Sequence, residues 1–262
     1  MIIKNRRSIC HKVVFEVRYK YGFTYLDRCG STVTEIMRST DGEWELSGYE
    51  PNPQNAPLIS LRNGTRFNFS VLKYDFVLEQ TQDADKDIEE NDLQEFIQQV
   101  DLVSSIVNER LSLKDFTRVG FKIWYLFDSK SREDSENWIS QLLKTSDIDD
   151  SIADALNGDV EAKSHVVVVA SQDRKFRISI TGVTTQTQLD LVGGKIGIRK
   201  SNLSRGQDKY LKRELKRAAK NPEFAVMLDI DTFVESPKDA DAKDFITESL
   251  KQIENKVPEA FK

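Results

Sequence analysis

The chain has 262 residues but only two cysteines, Cys10 and Cys29, and two histidines, His11 and His165. Two thiols make neither a disulfide framework nor a four-ligand zinc site, and the first 30 residues lack the apolar core of a secretion signal. The sequence therefore predicts a reducing, cytoplasmic setting. No apolar run approaches the roughly 18 residues that a spanning helix needs, so no membrane span is expected. Glycine (12) and proline (6) are scarce, and with 39% hydrophobic and 31% charged residues the composition is that of a somewhat polar globular protein. Positive charge is in deficit: the formal charge is −5, which argues against a surface that coats nucleic acid throughout and leaves room only for a local basic site. The length allows one large domain or two modest ones, with a core that needs no metal or disulfide.

Residues 13–21 alternate, with Val13, Phe15, Val17, Tyr19 and Tyr21 on one side and Glu16, Arg18 and Lys20 on the other, as in a half-buried strand. Leu26, Cys29, Val33, Ile36 and Met37 follow at helical spacing. Leu58–Leu61 and Phe67–Val71 flank Asn63-Gly64, a strong hairpin signal because both residues tolerate the positive φ of a type I′ turn. After Val71 the apolar phase changes to Leu72, Tyr74, Phe76 and Leu78, which predicts a β-bulge or a strand buried on both faces. A long helix is expected from about Ile88 to Leu111, with Leu93, Phe96, Val100, Val103 and Val107 as its stripe.

The same order then returns at a spacing of about 106–109 residues. Val119, Phe121, Ile123, Tyr125 and Phe127 alternate; Trp138, Ile139, Leu142 and Leu143 suit a helix; and Val166–Val169 face Phe176, Ile178 and Ile180 across a turn near Gln172-Asp173. The fold class expected is α+β: two related β-α-hairpin-α units, residues 1–113 and 114–262, with mainly antiparallel sheets. The second unit carries an insertion at about 190–236, with a glycine-containing strand (Leu191–Ile198), a basic helix and a strand from Phe224 to Val234. A closing helix from about Asp239 to Lys256 presents Phe245, Ile246, Leu250, Ile253 and Val257 on one side and ends before Pro258. The core is expected to include Phe15, Val17, Tyr19, Phe121, Ile123, Phe245 and Leu250.

Chemistry-bearing motifs are few. Neither histidine has a neighbour in sequence that completes a metal pair or a base-nucleophile set, and a lone histidine is more often a surface or satisfied residue. There is no G-x-S-x-G and no H-E-x-x-H, and Leu191-Val-Gly193-Gly194-Lys195 lacks the first spaced glycine and the Ser or Thr of a phosphate loop. No cofactor is expected. Alternation places Asp229 and Asp231 on one side of a strand, where two carboxylates can hold Mg²⁺ in a metal-dependent hydrolase; the plainer reading is an acidic strand face paired with nearby Lys or Arg.

The charge layout is the least ordinary feature. Residues 195–220 hold ten basic and two acidic residues. Within 208–220, Lys209, Lys212, Arg213, Lys216, Arg217 and Lys220 follow i, i+3, i+4, i+7, i+8, i+11, which makes one cationic helix face above an apolar one of Leu211, Leu215 and Ala218. Such a face suits an anionic partner, nucleic acid included, or the protein's own acidic stretches at 83–95 and 147–161. No Trp or Phe is interleaved, so stacking on single strands has little support.

Three short segments, Val14-Phe-Glu-Val-Arg18, Arg118-Val-Gly120 and Leu228-Asp-Ile-Asp231, together resemble a poorly characterised, sporadically distributed family of prokaryotic cytosolic proteins of similar length. The resemblance implies a fold type and carries over no enzymatic activity. Its patchy distribution implies an accessory role, as in bacterial defence or mobile-element systems. The function expected is a non-enzymatic binding or interaction protein, with a protein partner or a second copy of itself. The alternatives are a nucleic-acid-binding protein using helix 208–220 and a metal-dependent hydrolase using Asp229 and Asp231.

Overall fold

Strand alternation decides which side of the sheet is dry. In the computed structural model, which describes residues 1–47, 55–79, 87–143, 164–171, 174–184 and 224–261, ten strands form one antiparallel sheet and four helices pack on it. The strands are β1 (Ile2–Ile3), β2 (Arg6–Tyr19), β3 (Trp44–Leu46), β4 (Ala56–Ser60), β5 (Arg66–Phe69), β6 (Lys73–Glu79), β7 (Phe116–Ser129), β8 (Ser164–Ala170), β9 (Lys175–Thr184) and β10 (Phe224–Glu235). The helices are α1 (Thr24–Ser39), α2 (Glu90–Leu111), α3 (Arg132–Leu143) and α4 (Ala242–Ala260). The sheet order is β3-β4-β5-β6-β2-β7-β10-β9-β8, with β1 added to β2.

The two 14-residue strands β2 and β7 pair at the centre, with Val13 opposite Ile123, Phe15 opposite Phe121 and Val17 opposite Val119. These six side chains are buried under the helices. Aromatic rings tie each helix to the same side of the sheet: Tyr25 of α1 meets Phe69, Phe245 of α4 meets Phe15, and Trp138 of α3 meets Phe127. Tyr74 reaches α2 by donating a hydrogen bond from Oη to Asn108 Oδ1 at 3.1 Å. Of the expected core, Phe15, Val17, Tyr19, Phe121 and Ile123 are buried, while Phe245 and Leu250 are half-buried against it.

Four local expectations are corrected. The phase change after Val71 is a chain reversal, not a bulge: Ser70 N–H donates to Lys73 O at 2.9 Å, and Phe67, Phe69, Tyr74 and Phe76 all face the helices from two separate strands. The bulge lies instead in β2, where Cys10 and Lys12 oppose the consecutive Tyr125 and Trp124 and His11 is the extra residue. At Asn63-Gly64 only the glycine takes positive φ (75°); Asn63 contributes its side chain, accepting from Thr65 N–H at 3.0 Å, so the turn is an Asx type rather than I′. Tyr21 has left the strand with φ 57° and is exposed. Pro258 lies inside α4, in its last turn, and not beyond the helix end.

Candidate functional site

Opposite the helices, alternation gathers charge. Lys12, Glu16 and Arg18 of β2 meet Lys73, Asp75 and Glu79 of β6 on one side and Arg118, Lys122 and Trp124 of β7 on the other, with Asp229, Asp231 and Phe233 of β10 beyond. The register aligns Asp75, Glu16, Gly120 and Phe233 on four successive strands, and Glu79, Lys12, Trp124 and Asp229 on the same four.

Arg118 is the hub. Its guanidinium donates to Glu16 Oε1 at 2.7 Å and to both oxygens of Asp231 at 2.7 and 2.8 Å, while its Cζ stands 4.7 Å from the centre of the Phe233 ring. Nη2 alone reaches both oxygens of Asp231 and Nη1 serves Glu16, so one planar guanidinium bridges two carboxylates from different strands. To reach both partners the side chain lies back over Gly120, where a Cβ would stand 2.9 Å from Cζ. Any side chain at 120 displaces the guanidinium, which gives Arg118-Val-Gly120 its physical meaning. The three segments singled out in the sequence therefore meet here: Glu16, Arg118 with Gly120, and Asp231.

The rest of the face continues the network. Lys122 pairs with Asp229 at 2.8 Å, Lys73 with Glu16 at 3.1 Å and Asp75 at 2.8 Å, and Glu79 receives Lys12 at 3.1 Å and Arg66 at 2.6 Å. Lys12 and Lys122 also stand over the Trp124 ring. Burial disfavours ionisation of Glu16, but the hydrogen bond from Arg18 and the charge of Lys73 more than compensate, so its carboxyl is held below the ordinary 4.5. Burial raises Asp231 above its ordinary 3.8, against the pull of Arg118 and Lys122, and the neighbouring Asp229 adds to the rise.

Asp229 and Asp231 thus share a strand face, as alternation indicates, and each is engaged by a cation from β7. Among the described residues no group of three or more His, Cys, Asp or Glu is arranged to hold a metal ion. His11 is buried at the bulge near Glu79 and Lys12, and burial lowers its pKa below 6.5, so its ring stays neutral at physiological pH. Burial, helped by the charge of Asp87, pushes the Cys10 thiol up to about 12, which keeps it protonated and unreactive. His165 lies on β8 opposite Ile180.

The expected anionic-partner residues Lys209, Lys212, Arg213, Lys216, Arg217 and Lys220 lie outside the described residues, as do the strand Leu191–Ile198 and the acidic stretch 147–161. Sequence reading gave no weight to a different feature, the last strand of the sheet. β8 pairs only with β9 among the described strands, and its four valines, Val166–Val169, are each about half exposed, at 50, 52, 59 and 47%. Their run in the sequence carried the signal: valines on both faces suit an inner strand, whereas this one is at the edge. Among the described residues no helix is long and apolar enough to cross a membrane. No family model, curated protein or solved structure matches the chain.

Proposed function

We propose that the protein acts by binding another protein chain, without catalysis of its own, and that the contact runs along the outer edge of β8. The observation that carries this reading is the exposure of Val166–Val169 on the last strand of a ten-stranded sheet. An apolar edge strand presents N–H and C=O groups for strand addition, and its alternate side chains supply apolar contact on both faces. Natural edges are usually blunted by Lys, Pro or a bulge; β8 contains none of these. The Asp229 and Asp231 carboxylates support the same reading, because their role as counter-charges to Lys122 and Arg118 accounts for them without chemistry.

The test is a Val166→Lys, Val168→Lys protein compared with wild type by sedimentation velocity and by capture from native extract. The wild type should self-associate or retain a protein partner, and the variant should lose that association with its melting temperature unchanged. Equal association of the two proteins overturns the proposal.

The architecture of the two halves belongs to the same reading: we infer that they descend from one duplicated unit. In the first, β2-α1 leads through β4, β5 and β6 to α2; in the second, β7-α3 leads through β8, β9 and β10 to α4. Both give the sheet order first, fourth, third, second, meeting at β2 and β7. The second reading of function, nucleic acid held by the 195–220 segment, is favoured by the six aligned cations of that sequence. It draws nothing from the charged sheet face, where the cations answer acids of the protein itself.

A further inference from the structure

On the helical side of the sheet, a cleft of about 620 Å³ opens between α2, α4 and the strands β1, β2 and β7. That volume lies within the usual range of small-ligand sites, roughly 300–1,000 Å³. Its floor is made by Cys10 and Tyr125, which face each other across the β2/β7 pairing and are 6% and 5% exposed. The Tyr125 ring is buried while its hydroxyl borders the cleft, where it makes no hydrogen bond to any described residue and is open to a ligand. Ile88, Leu93 and Ile97 give one apolar wall and Leu250 the other.

Charge around this floor is one-sided. Asp87, just ahead of α2, and Glu254, on α4, act from different walls on the same two groups, adding to the effect of burial in raising both the Cys10 thiol and the Tyr125 hydroxyl. Glu90 is a third acid of the lining, against a single basic side chain, Lys251, and the Met1 amino group. Among the described residues none of the three carboxylates enters a salt bridge. Asp87 Oδ1 accepts from Cys10 N–H at 2.6 Å, which leaves its second oxygen for a ligand.

We propose that the cleft binds a small amphipathic primary amine, with its ammonium between Asp87 and Glu254 and its hydrocarbon part against Ile97 and Leu250. The three N–H donors of an ammonium match three acceptors: Asp87 Oδ2, the Glu254 carboxylate and Tyr125 Oη. An anion meets three acids there, and a neutral alcohol leaves the paired carboxylates unanswered. The protonated Cys10 takes no covalent part. The site is separate from the β8 edge and stands or falls without it.

Calorimetric titration of the full chain with hexylamine, hexan-1-ol and hexanoate tests this. Hexylamine should bind saturably and at least about tenfold tighter than hexan-1-ol, with no binding of hexanoate. Glu254→Gln, at an exposed position where the fold is not at risk, should weaken hexylamine about tenfold and leave hexan-1-ol unchanged; Tyr125→Phe, which keeps the buried ring, should weaken hexylamine by a few fold. Absence of saturable hexylamine binding, equal binding of hexylamine and hexanoate, or hexylamine affinity unaltered by both substitutions overturns the proposal.

Discussion

Arg118 holds Glu16 and Asp231 only because residue 120 has no side chain, and this dependence can be measured. Arg118→Leu takes away the hydrogen bonds of Asp231, while Glu16 keeps Arg18 and Lys73, and should cost about 1–3 kcal/mol of unfolding free energy. Gly120→Ala should lose part of that by moving the guanidinium, yet add almost nothing when Arg118 is already Leu. A double-mutant cycle from urea unfolding checks the non-additivity, and two independent costs would refute the account. Glu16 gives the pH dependence. Its folded pKa is depressed below 4.5, so its ionised form contributes stability that is full above that value and is lost as pH falls through the folded value. The stability difference between wild type and Glu16→Gln should therefore be largest at neutral pH and shrink below about pH 4.5, as unfolding curves at both pH values would show. Asp231, shifted upward, works in the opposite sense, and the Glu16 variant separates the two. That Asp229 and Asp231 share a face was legible from alternation alone. Their partners were not, because Arg118 is 113 residues from Asp231 and no local pattern couples them.

At the scale of elements, period-two and helical spacing located α1, α2, β7, β10 and α4 within a few residues, while β2 begins seven residues ahead of the alternation at 13–21 and α3 six ahead of Trp138. The misreadings share a cause: apolar spacing reports which face is buried but not where the chain reverses. Phe69 and Tyr74 sit opposite each other across a turn, and in the sequence this looks the same as a slip in a single strand. The cleft was invisible for a related reason, since Cys10, Asp87, Tyr125 and Glu254 come from four distant segments. β2 and β7 pair beneath α4, where Phe245 meets Phe15. Phe121 is fully buried there opposite Phe15, so Phe121→Ala should cost about 3–5 kcal/mol, whereas the same change at the exposed Phe23 should have little effect. Thermal unfolding of the two variants provides the comparison.

For the molecule as a whole, charge is partitioned. The described sheet face answers its own acids and bases, while the surplus of cations lies in residues 195–220. Reversing Lys212, Arg213, Lys216 and Arg217 to Glu should remove binding of duplex DNA, if this segment provides it, along with its salt dependence of about −0.9 per phosphate contact, and leave the melting temperature unchanged. A gel-shift series against salt reads this. A loss of folding instead would assign those cations to the protein's own acidic stretches and remove the nucleic-acid reading.

The central pairing of β2 with β7 also sets a schedule during synthesis. β2 leaves the ribosome before its partner, which follows about 100 residues later, on the order of ten seconds at ordinary elongation rates. For that interval the first half of the protein has an unpaired central strand at its border. The β8/β9 hairpin waits in turn, because among the described strands it joins the sheet through β10, whose first residue is Phe224. The nascent chain therefore passes through two stages with an open strand edge, and each is a point at which chaperones, or a neighbouring nascent copy on the same messenger, meet it first.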